Sequence, residues 1–340
     1  MELNEAKKGR LQDFIVMAAE AQSVVITALR RLPGGAIQEN WYLDLDITGG
    51  IFSGRLEAVV RTDAVSKIEE SLNRTEEFIL LKSALAVGVK VPEVLWLCQE
   101  PSVLGRDFFL MRRIRGDAAG HRLIKDERLQ KNGETLVKNL AEELAKIHKI
   151  SPPEENLSFL PLPTPSPALY WIGRFRNYLD CLTIPHPVLE WALRWLERNA
   201  PTKAEIVLCH HDFRTGNYMV EENKLTGILD WEFAGWSDFH EDIGWFCAKC
   251  WRFGRIDKEA GGIGSRETFY QAYESVSERR IDQDTVSYWE VMAHVRWAVI
   301  ALQQAQRYLS GDEQSLELAL TSHLVPALEL EILKMTGKAS

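Results

Sequence analysis

The sequence lacks an apolar run long enough to cross a membrane, and it lacks a recognisable signal peptide. Its first apolar stretch, residues 14–29, is interrupted by Glu20 and Gln22 and is typical of an amphipathic helix. We therefore expect a cytoplasmic protein without a membrane partner. With 340 residues, of which 46% are hydrophobic and 26% charged, the chain has an ordinary globular composition and is long enough for two lobes.

The chain also lacks an excess of positive charge. It carries 40 Lys and Arg residues against 49 Asp and Glu residues, which gives a formal net charge of -9. Because nucleic-acid binding depends on a basic surface, this balance argues against a nucleic-acid partner. Internal repeats and low-complexity tracts are absent as well, and nothing in the sequence indicates an oligomeric state.

Cysteine is scarce. The five Cys residues, an odd number without a secretion signal, favour a reducing compartment. Cys247 and Cys250 have C-x-x-C spacing, but no second pair accompanies them and they lie in a Trp-rich helical stretch. This pattern favours buried thiols over zinc ligands or a redox pair.

The most informative stretch that is present begins at His210 and reads H-x-D-x-x-x-x-N. Asp212 and Asn217 stand five residues apart in it. An Asp in a tight loop can orient an acceptor hydroxyl and take its proton, and the side-chain oxygen of Asn217 suits a hard cation such as Mg2+. A His-Asp turn without a chemical role would have the same spacing, so this motif alone leaves both interpretations open.

A second carboxylate, Asp230, follows 18 residues after Asp212 at the end of an apolar segment. Residues 218–220 and 227–229 predict two short strands joined by a polar turn at 221–224. Such a hairpin has Asn217 and Asp230 at the same end, where both can hold magnesium. The order and spacing are those of a kinase catalytic loop and its metal-binding Asp.

The chain in this region resembles the aminoglycoside phosphotransferase and choline kinase-like family of small-molecule kinases, and it is most similar to the branch also found fused to acyl-CoA dehydrogenases. His211 stands where that family usually has Gly. The resemblance implies an α+β, bilobal protein-kinase-like fold, with an N-terminal antiparallel sheet lobe and a larger, mostly helical C-terminal lobe. It also implies ATP and Mg2+ as cofactors, with Asp212 as the base and Asn217 and Asp230 as metal ligands.

The same resemblance implies three regions. We expect an N-terminal helical segment over residues 1–31, a nucleotide-binding lobe over 32–115, and a catalytic and substrate-binding lobe over 116–340. Gly34 and Gly35 fall where the family covers the nucleotide with a hairpin, and their small size permits close backbone approach to phosphate. A Gly pair beside Pro is also common in plain turns.

The resemblance further assigns Arg61 and Glu77 to the nucleotide site. Arg61 ends a predicted strand at the position where the family holds the nucleotide phosphates, and Arg binds phosphate well because its guanidinium is permanently charged and forked. Glu76 and Glu77 lie in a helix predicted over residues 69–85, and one of them should pair with Arg61. The family spacing favours Glu77. A surface Arg and a solvated Glu are the alternatives.

Four further residues have roles that rest on the resemblance alone. Arg112 and Ile114 follow the predicted last strand of the first lobe, where relatives contact adenine through backbone groups. The arginine-rich run around them is also compatible with a solvated surface. His148 is expected to be a hydrogen-bonded core His, and Asp242 is expected to support the catalytic loop through hydrogen bonds.

The acceptor is less constrained by the sequence. Nine of the 11 Trp residues fall between positions 171 and 297, and although most should be core, a few could line an aromatic pocket. Four late acidic residues have helical spacings that fit a solvated face: Glu313, Glu317, Glu329 and Glu331. We therefore expect a small-molecule acceptor that is less cationic than an aminoglycoside, such as a partly apolar alcohol or hydroxy acid.

Three other functions share part of this pattern. An aminoglycoside or other antibiotic kinase shares the same phosphate chemistry and differs only in its acceptor. A non-catalytic nucleotide-binding pseudokinase would lack a base or a metal ligand, and none is missing from the motifs. A protein kinase needs an activation segment after the metal-binding Asp, and the short stretch from Asp230 to Trp245 leaves no room for one.

Overall fold

The structure is a computed structural model that describes residues 4–32, 38–63, 71–311 and 315–337. The strands within these ranges are β1 (Ser23–Arg31), β2 (Gln38–Thr48), β3 (Gly54–Asp63), β4 (Val94–Cys98), β5 (Phe108–Arg112), β6 (Ile206–Cys209), β7 (Tyr218–Glu221), β8 (Lys224–Ile228) and β9 (Gly235–Asp238). The helices are α1 (Glu5–Ala18), α2 (Arg74–Ala86), α3 (Pro101–Leu104), α4 (Gly120–Leu123), α5 (Glu127–Ile147), α6 (Pro167–Asp180), α7 (Pro187–Arg198), α8 (His240–Cys247), α9 (Arg266–Val276), α10 (Gln283–Leu309), α11 (Leu316–Thr321) and α12 (Val325–Met335).

The chain divides into two compact units, and neither is one continuous stretch. The first comprises Met1–Asp117, Pro153–Phe159 and Tyr218–Ala234, and the second comprises Ala118–Pro152, Leu160–Asn217 and Gly235–Ser340. The predicted boundary between residues 115 and 116 treated each lobe as one continuous stretch of chain. The first unit in the structure also contains β7, β8 and a short segment before α6, all of which follow that boundary in the sequence.

A five-stranded antiparallel sheet in the order β1-β2-β3-β5-β4 dominates the first unit. β2 and β3 pair over nearly their whole length, with Asn40 opposite Arg61. One face of the sheet packs on α1, where Leu11 and Ile15 join a core with Val60 and Phe108. The predicted antiparallel sheet lobe is confirmed, and its register carries Arg61 to a central strand.

The amphipathic helix predicted over residues 14–29, and with it the helical segment over 1–31, is wrong beyond Ala18. α1 ends at that residue, and the chain continues as β1, which pairs with β2. The run Val24-Val25-Ile26-Thr27 is β-branched and favours a strand. Val24 and Ile26 are buried while Val25 is 53% exposed, so the side chains alternate between the two faces of a sheet.

The hairpin predicted from the spacing around Asp230 is confirmed. β7 and β8 are antiparallel, with Tyr218 opposite Ile228. The two turn residues, Glu222 and Asn223, have φ angles of 47° and 66°. Positive φ at both central residues is what a two-residue type I′ hairpin requires. The chain therefore enters the open end of the hairpin from Asn217 and leaves it toward Asp230.

Helices form most of the second unit, as predicted. Its largest apolar core joins α6, α7, α10 and α12, and includes Phe175, Leu193, Trp289 and Ile332. Among the described residues, no helix combines the length and the apolar character that a membrane span requires.

Candidate active site

In the second unit, the loop after β6 holds the carboxylate of Asp212 with three hydrogen-bond donors. Arg214 Nε and Trp245 Nε1 each donate to Oδ1 over 3.0 Å. Asn217 Nδ2 donates to Oδ2 over 2.5 Å and to the backbone oxygen of Asp212 over 2.9 Å. The structure thus brings together Asp212 and Asn217, the two residues that the motif singled out, and fixes their mutual orientation.

The contact with Asp212 decides which atom of Asn217 is available to a cation. Because the amide nitrogen donates to the carboxylate, the amide oxygen is the atom that can act as a metal ligand. In the first unit, Asp230 offers a carboxylate with a side chain that is 43% exposed. An amide oxygen and a carboxylate are hard oxygen ligands, which is the donor type that Mg2+ prefers.

Asp242, from α8, fixes the backbone that precedes Asp212. Its carboxylate oxygens accept hydrogen bonds from the backbone N–H groups of His210, over 2.6 Å, and His211, over 2.8 Å. The Asp242 side chain is completely buried. The predicted hydrogen bonds from the loop of Asp212 to Asp242 are confirmed.

His148, at the end of α5, extends this support into the core. Its Nε2 lies 3.3 Å from Asp242 Oδ2, and its Nδ1 lies 2.8 Å from the Tyr273 hydroxyl. Because a carboxylate only accepts, Nε2 donates to Asp242 and Nδ1 accepts from Tyr273. Burial lowers the pKa of His148, which favours the neutral imidazole. His148 is therefore the hydrogen-bonded core His that was predicted.

The pKa of Asp242 is lowered, which keeps its carboxylate charged. Burial by itself would raise this pKa, but the hydrogen bond from His148 and the nearby imidazoles of His148, His211 and His210 together outweigh burial, and the pKa lies below its ordinary value. A charged carboxylate can accept from both backbone N–H groups at once. The loop geometry therefore depends on a buried anion.

His211 adopts a left-handed backbone conformation, with a φ of 62°. Gly reaches this region without steric strain, which explains why Gly is usual here in the family that the chain resembles. The His211 ring instead lies edge-on to Trp171, with ring centroids 5.5 Å apart. Its Nε2 is 3.8 Å from Glu241 Oε2.

Sequence reasoning missed a layer of cationic and aromatic side chains in the second unit. The Arg214 guanidinium lies 4.5 Å from the Trp251 ring centroid. The Arg296 guanidinium lies between two indoles, 4.9 Å from Trp171 and 4.8 Å from Trp245. The signal for Arg214 was its place in the motif, whereas Arg296 comes from α10 and has no local signal.

Glu241, the neighbour of Asp242 in α8, anchors this layer. It accepts hydrogen bonds from Trp171 Nε1 over 3.1 Å and from Arg296 Nη1 over 3.4 Å, and also from the Ser237 hydroxyl. Glu241 is 5% exposed and Arg296 8% exposed. A buried carboxylate thus balances the charge of Arg296 and holds its guanidinium in the aromatic layer.

In the first unit, Arg61 and Glu77 form a buried ion pair. Arg61 Nη2 lies 2.7 Å from Glu77 Oε1, and the two residues are 5% and 1% exposed. The same nitrogen lies 3.5 Å from Asp230 Oδ1. The pairing with Glu77 rather than Glu76 is confirmed, because Glu76 instead forms a capping box with Asn73 at the start of α2.

The charge of Arg61 is reinforced by its surroundings. Burial would lower the pKa of Arg61, but the carboxylates of Glu77 and Asp230 outweigh that effect and raise it. Asp230 itself has a φ of 59°, again in the left-handed region. Non-Gly residues there are uncommon and concentrate at functional sites.

Arg74, the first residue of α2, was not identified from the sequence. It is 1% exposed, its Nε lies 2.9 Å from Asp63 Oδ1, and its Nη1 contacts Glu77 Oε2. Glu77 therefore bridges two buried guanidinium groups, one on each carboxylate oxygen. The missing signal is understandable, since an Arg in the first turn of a helix is ordinarily solvated.

Glu232, two residues after Asp230, is a further buried carboxyl of the first unit. It accepts hydrogen bonds from Gln38 Nε2 and, over 3.4 Å, from the Ser71 hydroxyl. Burial raises the pKa of Glu232 to about 7, against the opposing effect of Arg61. The contacts with Gln38 and Ser71 were not foreseen from the sequence.

The remaining nucleotide assignments stay predictions. Gly34 and Gly35 lie outside the described residues. The backbone N–H of Arg112 donates to the Glu93 carbonyl over 2.7 Å, so this N–H is already used. Ile114 follows β5, and its side chain packs against Gly227, where an added Cβ would come within 2.6 Å of Ile114 Cδ1.

The solvated acidic face expected near the C-terminus is wrong for two of its members. Glu331 forms an ion pair with Lys249 over 2.5 Å. Glu329 is partly buried, and this burial raises its pKa. Glu313 lies outside the described residues, and the side chain of Glu317 does not belong to the described part either. The pattern was misleading because helical spacing cannot reveal a partner from another helix.

Cys98, Cys209 and Cys247 are buried, Cys250 is partly buried and Cys181 is exposed. Cys247 is fully buried, and burial raises its pKa to about 12. Burial raises the pKa of Cys250 as well. Among the described residues, His148, Cys209 and Asp242 could by distance hold a metal. Their polar atoms are already used, because Cys209 Sγ donates to the Asp238 carbonyl and the other two bond each other.

Comparison with known proteins gives a consistent result. A model of the family described as "Phosphotransferase enzyme family" matches residues 28–279. Acyl-CoA dehydrogenase family member 11 of Pongo abelii is 24% identical over 277 residues, which is 74% of this chain and 34% of that protein. Acyl-CoA dehydrogenase family member 10 of Mus musculus is 27% identical over 180 residues, 50% of this chain and 16% of that protein. The chain thus spans a minor part of these relatives.

Solved structures with the same fold include small-molecule kinases. A Ralstonia eutropha JMP134 protein classed with the aminoglycoside phosphotransferases has a TM-score of 0.78 and 17% identity, over 98% of this chain and 99% of that one. A choline/ethanolamine kinase family protein from Mesorhizobium loti has a TM-score of 0.60 and 17% identity, over 96% and 95%. The GDP complex of wild-type aminoglycoside 2'-phosphotransferase-IIIa has a TM-score of 0.60 and 15% identity, over 98% of both chains. The kinase-like fold predicted from the sequence is confirmed.

Proposed function

The chain belongs to the phosphotransferase enzyme family, and on this premise we propose that it transfers the γ-phosphate of ATP to a hydroxyl group of a small molecule. The observation that carries the proposal is the buried ion pair of Arg61 and Glu77, in which Arg61 also reaches Asp230. Burying an ion pair brings little stability by itself, because desolvation offsets the attraction. A permanent cation held in place beside a candidate metal ligand is what phosphate chemistry needs.

Asp212 is the proposed base. Its carboxylate is held by neighbours from its own loop and from α8, so it is presented in a fixed orientation rather than as a free surface group. In the proposed step, Asp212 takes the proton of the acceptor hydroxyl as the acceptor oxygen bonds to the γ-phosphorus. The bond from that phosphorus to the bridging oxygen breaks, and its electron pair leaves with ADP.

Asn217 and Asp230 are the proposed ligands of Mg2+, through an amide oxygen and a carboxylate oxygen. Bound magnesium neutralises phosphate charge that would otherwise repel the incoming oxygen. Arg61 is proposed to add a permanent positive charge at the phosphates, with Glu77 holding its guanidinium in place. Gly34, Gly35, Arg112 and Ile114 are proposed nucleotide contacts by their position in the family. Complexes of related folds with GDP support a nucleotide site.

For the acceptor we propose a compound less cationic than an aminoglycoside, such as a partly apolar alcohol or hydroxy acid. One observation in the second unit supports this. Trp171 is only partly buried and lies against the ring of His211, next to Asp212 in the chain, so its indole offers apolar contact area.

The test is an ATP-consumption screen with purified protein and Mg2+ over alcohols, hydroxy acids, amino alcohols, sugars and antibiotics, with the product identified by mass spectrometry. We expect an acceptor-dependent ADP signal and a product heavier by one phosphoryl group, both formed about 100- to 10,000-fold more slowly by Asp212→Asn. A screen in which only aminoglycosides react would overturn the acceptor class. Nucleotide binding without transfer to any compound would favour a pseudokinase and sink the proposed reaction.

A further inference from the structure

The carboxylate of Asp212 has a restricted number of positions left for a substrate. An ionised carboxylate has about four acceptor positions, two on each oxygen. Among the residues that the structure describes, three donors occupy three of them: Arg214 Nε and Trp245 Nε1 on Oδ1, and Asn217 Nδ2 on Oδ2. Both positions of Oδ1 are thus filled from within the protein, and one position of Oδ2 remains.

Arg214 is held in this arrangement from several sides. Its Nε donates to Asp212, and its Nη1 donates to the Thr215 carbonyl over 3.3 Å. Its guanidinium plane lies over the Trp251 ring. Gly216 follows in the same loop with a φ of 115°, a backbone conformation that residues with a Cβ rarely adopt.

We propose that Arg214 is a positioning residue for the base: together with Trp245 it occupies Asp212 Oδ1, so that Oδ2 is the atom that receives the proton of the acceptor. This inference rests on the proposed phosphotransferase function. The physical consequence is specific. Without Arg214, a position on Oδ1 becomes open, the carboxylate can rotate, and the acceptor hydroxyl can bind the wrong oxygen at an unproductive angle to the γ-phosphorus.

The proposed transfer involves only the acceptor hydroxyl, Asp212 and the γ-phosphate of ATP. The O–H bond of the acceptor breaks and its proton goes to Asp212 Oδ2, the acceptor oxygen bonds to the γ-phosphorus, and the bond from that phosphorus to the bridging oxygen breaks. Asn217 keeps its hydrogen bond to Oδ2 throughout and so ties the proton-accepting atom to the proposed metal ligand. Arg214 and Trp245 exchange no proton in this step.

The test is a double-mutant cycle between Arg214→Ala and Asp212→Asn, measured with magnesium ATP and the first acceptor that the wild-type protein phosphorylates in the screen. In the wild-type background, Arg214→Ala should lower kcat by about 100-fold, the loss typical of a misplaced reacting group, with the KM for ATP changed less than about twofold. In the Asp212→Asn background, the same substitution should change kcat by less than about threefold, because its effect passes through the carboxylate. Arg214→Lys should recover part of the loss.

The matched control is Arg279→Ala. Arg279 also pairs with a carboxylate, Glu205, and lies over an aromatic ring, Phe239, but it makes no contact with Asp212. It should leave kcat unchanged. If Arg214→Ala fails to fold by circular dichroism, Arg214→Gln takes its place in the cycle.

Each outcome decides something different. Equal losses from the Arg214 substitution in both backgrounds would show a general structural role and overturn the inference, as would wild-type kcat in Arg214→Ala. A wild-type protein that phosphorylates no compound in the screen would overturn the proposed function, and this inference with it.

Discussion

The two groups of candidate site residues are built on different physical principles. In the second unit, Asp212 is held by hydrogen bonds from Asn217, Trp245 and Arg214. The loop before it is fixed by a backbone N–H group that donates to Asp242. In the first unit, Arg61 is held almost entirely by carboxylates, Glu77 and Asp230. The residues around Asp212 are thus organised by directional hydrogen bonds, and those around Arg61 by buried opposite charges.

Because of this difference, substitutions in the two groups should have different effects. A hydrogen-bonded base loses function when its orientation changes, even if the fold survives, because proton transfer needs a defined geometry. A buried ion-pair cluster loses stability when one member is removed, because the remaining charges stay buried without a partner. We therefore expect substitutions in the second unit's loop to act on kcat, and substitutions around Arg61 to act first on stability.

The largest effect is expected at the base. Asp212→Asn removes the proton acceptor but keeps the size and the polarity of the side chain. A general base typically contributes about 100- to 10,000-fold, so kcat should fall within that range while the Kd for ATP stays nearly unchanged. Steady-state kinetics with isothermal titration of nucleotide would measure both. Turnover near that of the wild type would contradict the assignment of Asp212.

The next largest effect is expected from Glu77→Ala, and it should appear as lost stability. Removing this carboxylate leaves Arg61 and Arg74 buried without the acceptor that they share, which for a buried pair typically costs about 3–5 kcal/mol. Urea unfolding would measure the change. The adjacent Glu76→Ala is the matched control and should cost about 1 kcal/mol, because Glu76 only caps α2. Equal losses at the two positions would refute the distinction between them.

A pH experiment sharpens the comparison between the halves. The pKa of Glu232 is raised by burial to about 7 from 4.5, so the folded state holds an extra proton between these values. The corresponding stability is fully present below pH 4.5 and is lost as the pH rises to about 7, by about 3 kcal/mol. Glu232→Gln should remove this slope in unfolding experiments without metal. Parallel pH profiles for both proteins would contradict the raised pKa.

His148 in the second unit should show the opposite slope. Burial lowers its pKa below 6.5, so the unfolded chain takes up the proton more readily than the folded protein. Stability should therefore fall as the pH drops below about 6.5. His148→Gln should remove the loss of unfolding free energy that occurs as the pH drops below about 6.5. Glu232→Gln should instead remove the loss that occurs as the pH rises from 4.5 to about 7.

The smallest effect is expected from His211→Gly. Gly removes the strain of a left-handed residue, which is worth about 1–2 kcal/mol, but it also removes the contact with Trp171 and adds chain entropy to the unfolded state. These terms oppose each other, and the net change in stability should stay within about 1 kcal/mol by chemical denaturation. A loss of several kcal/mol would mean that the contacts of His211 outweigh its backbone strain.

Much of the fold and the pairing of Arg61 with Glu77 could be predicted from the sequence. The hairpin after Asn217 could be predicted because alternating apolar residues and a polar turn are local signals. The wrong prediction over β1 is equally local in origin: residues 14–29 satisfy a loose helical spacing, but the β-branched run from Val24 favours a strand. Arg74 was missed because nothing in its own neighbourhood indicates that it is buried.

Local sequence is sufficient to place the proposed base beside a proposed metal ligand. Asp212 and Asn217 are five residues apart in one loop, and this short separation lets the amide of Asn217 donate to the carboxylate of Asp212. The orientation of that carboxylate, in contrast, depends on tertiary contacts. Trp245 follows Asp212 by 33 residues and reaches it from α8, while Asp242 holds the loop backbone from the same helix. Such contacts depend on how a helix packs against a loop, and no spacing in the sequence specifies that distance or angle.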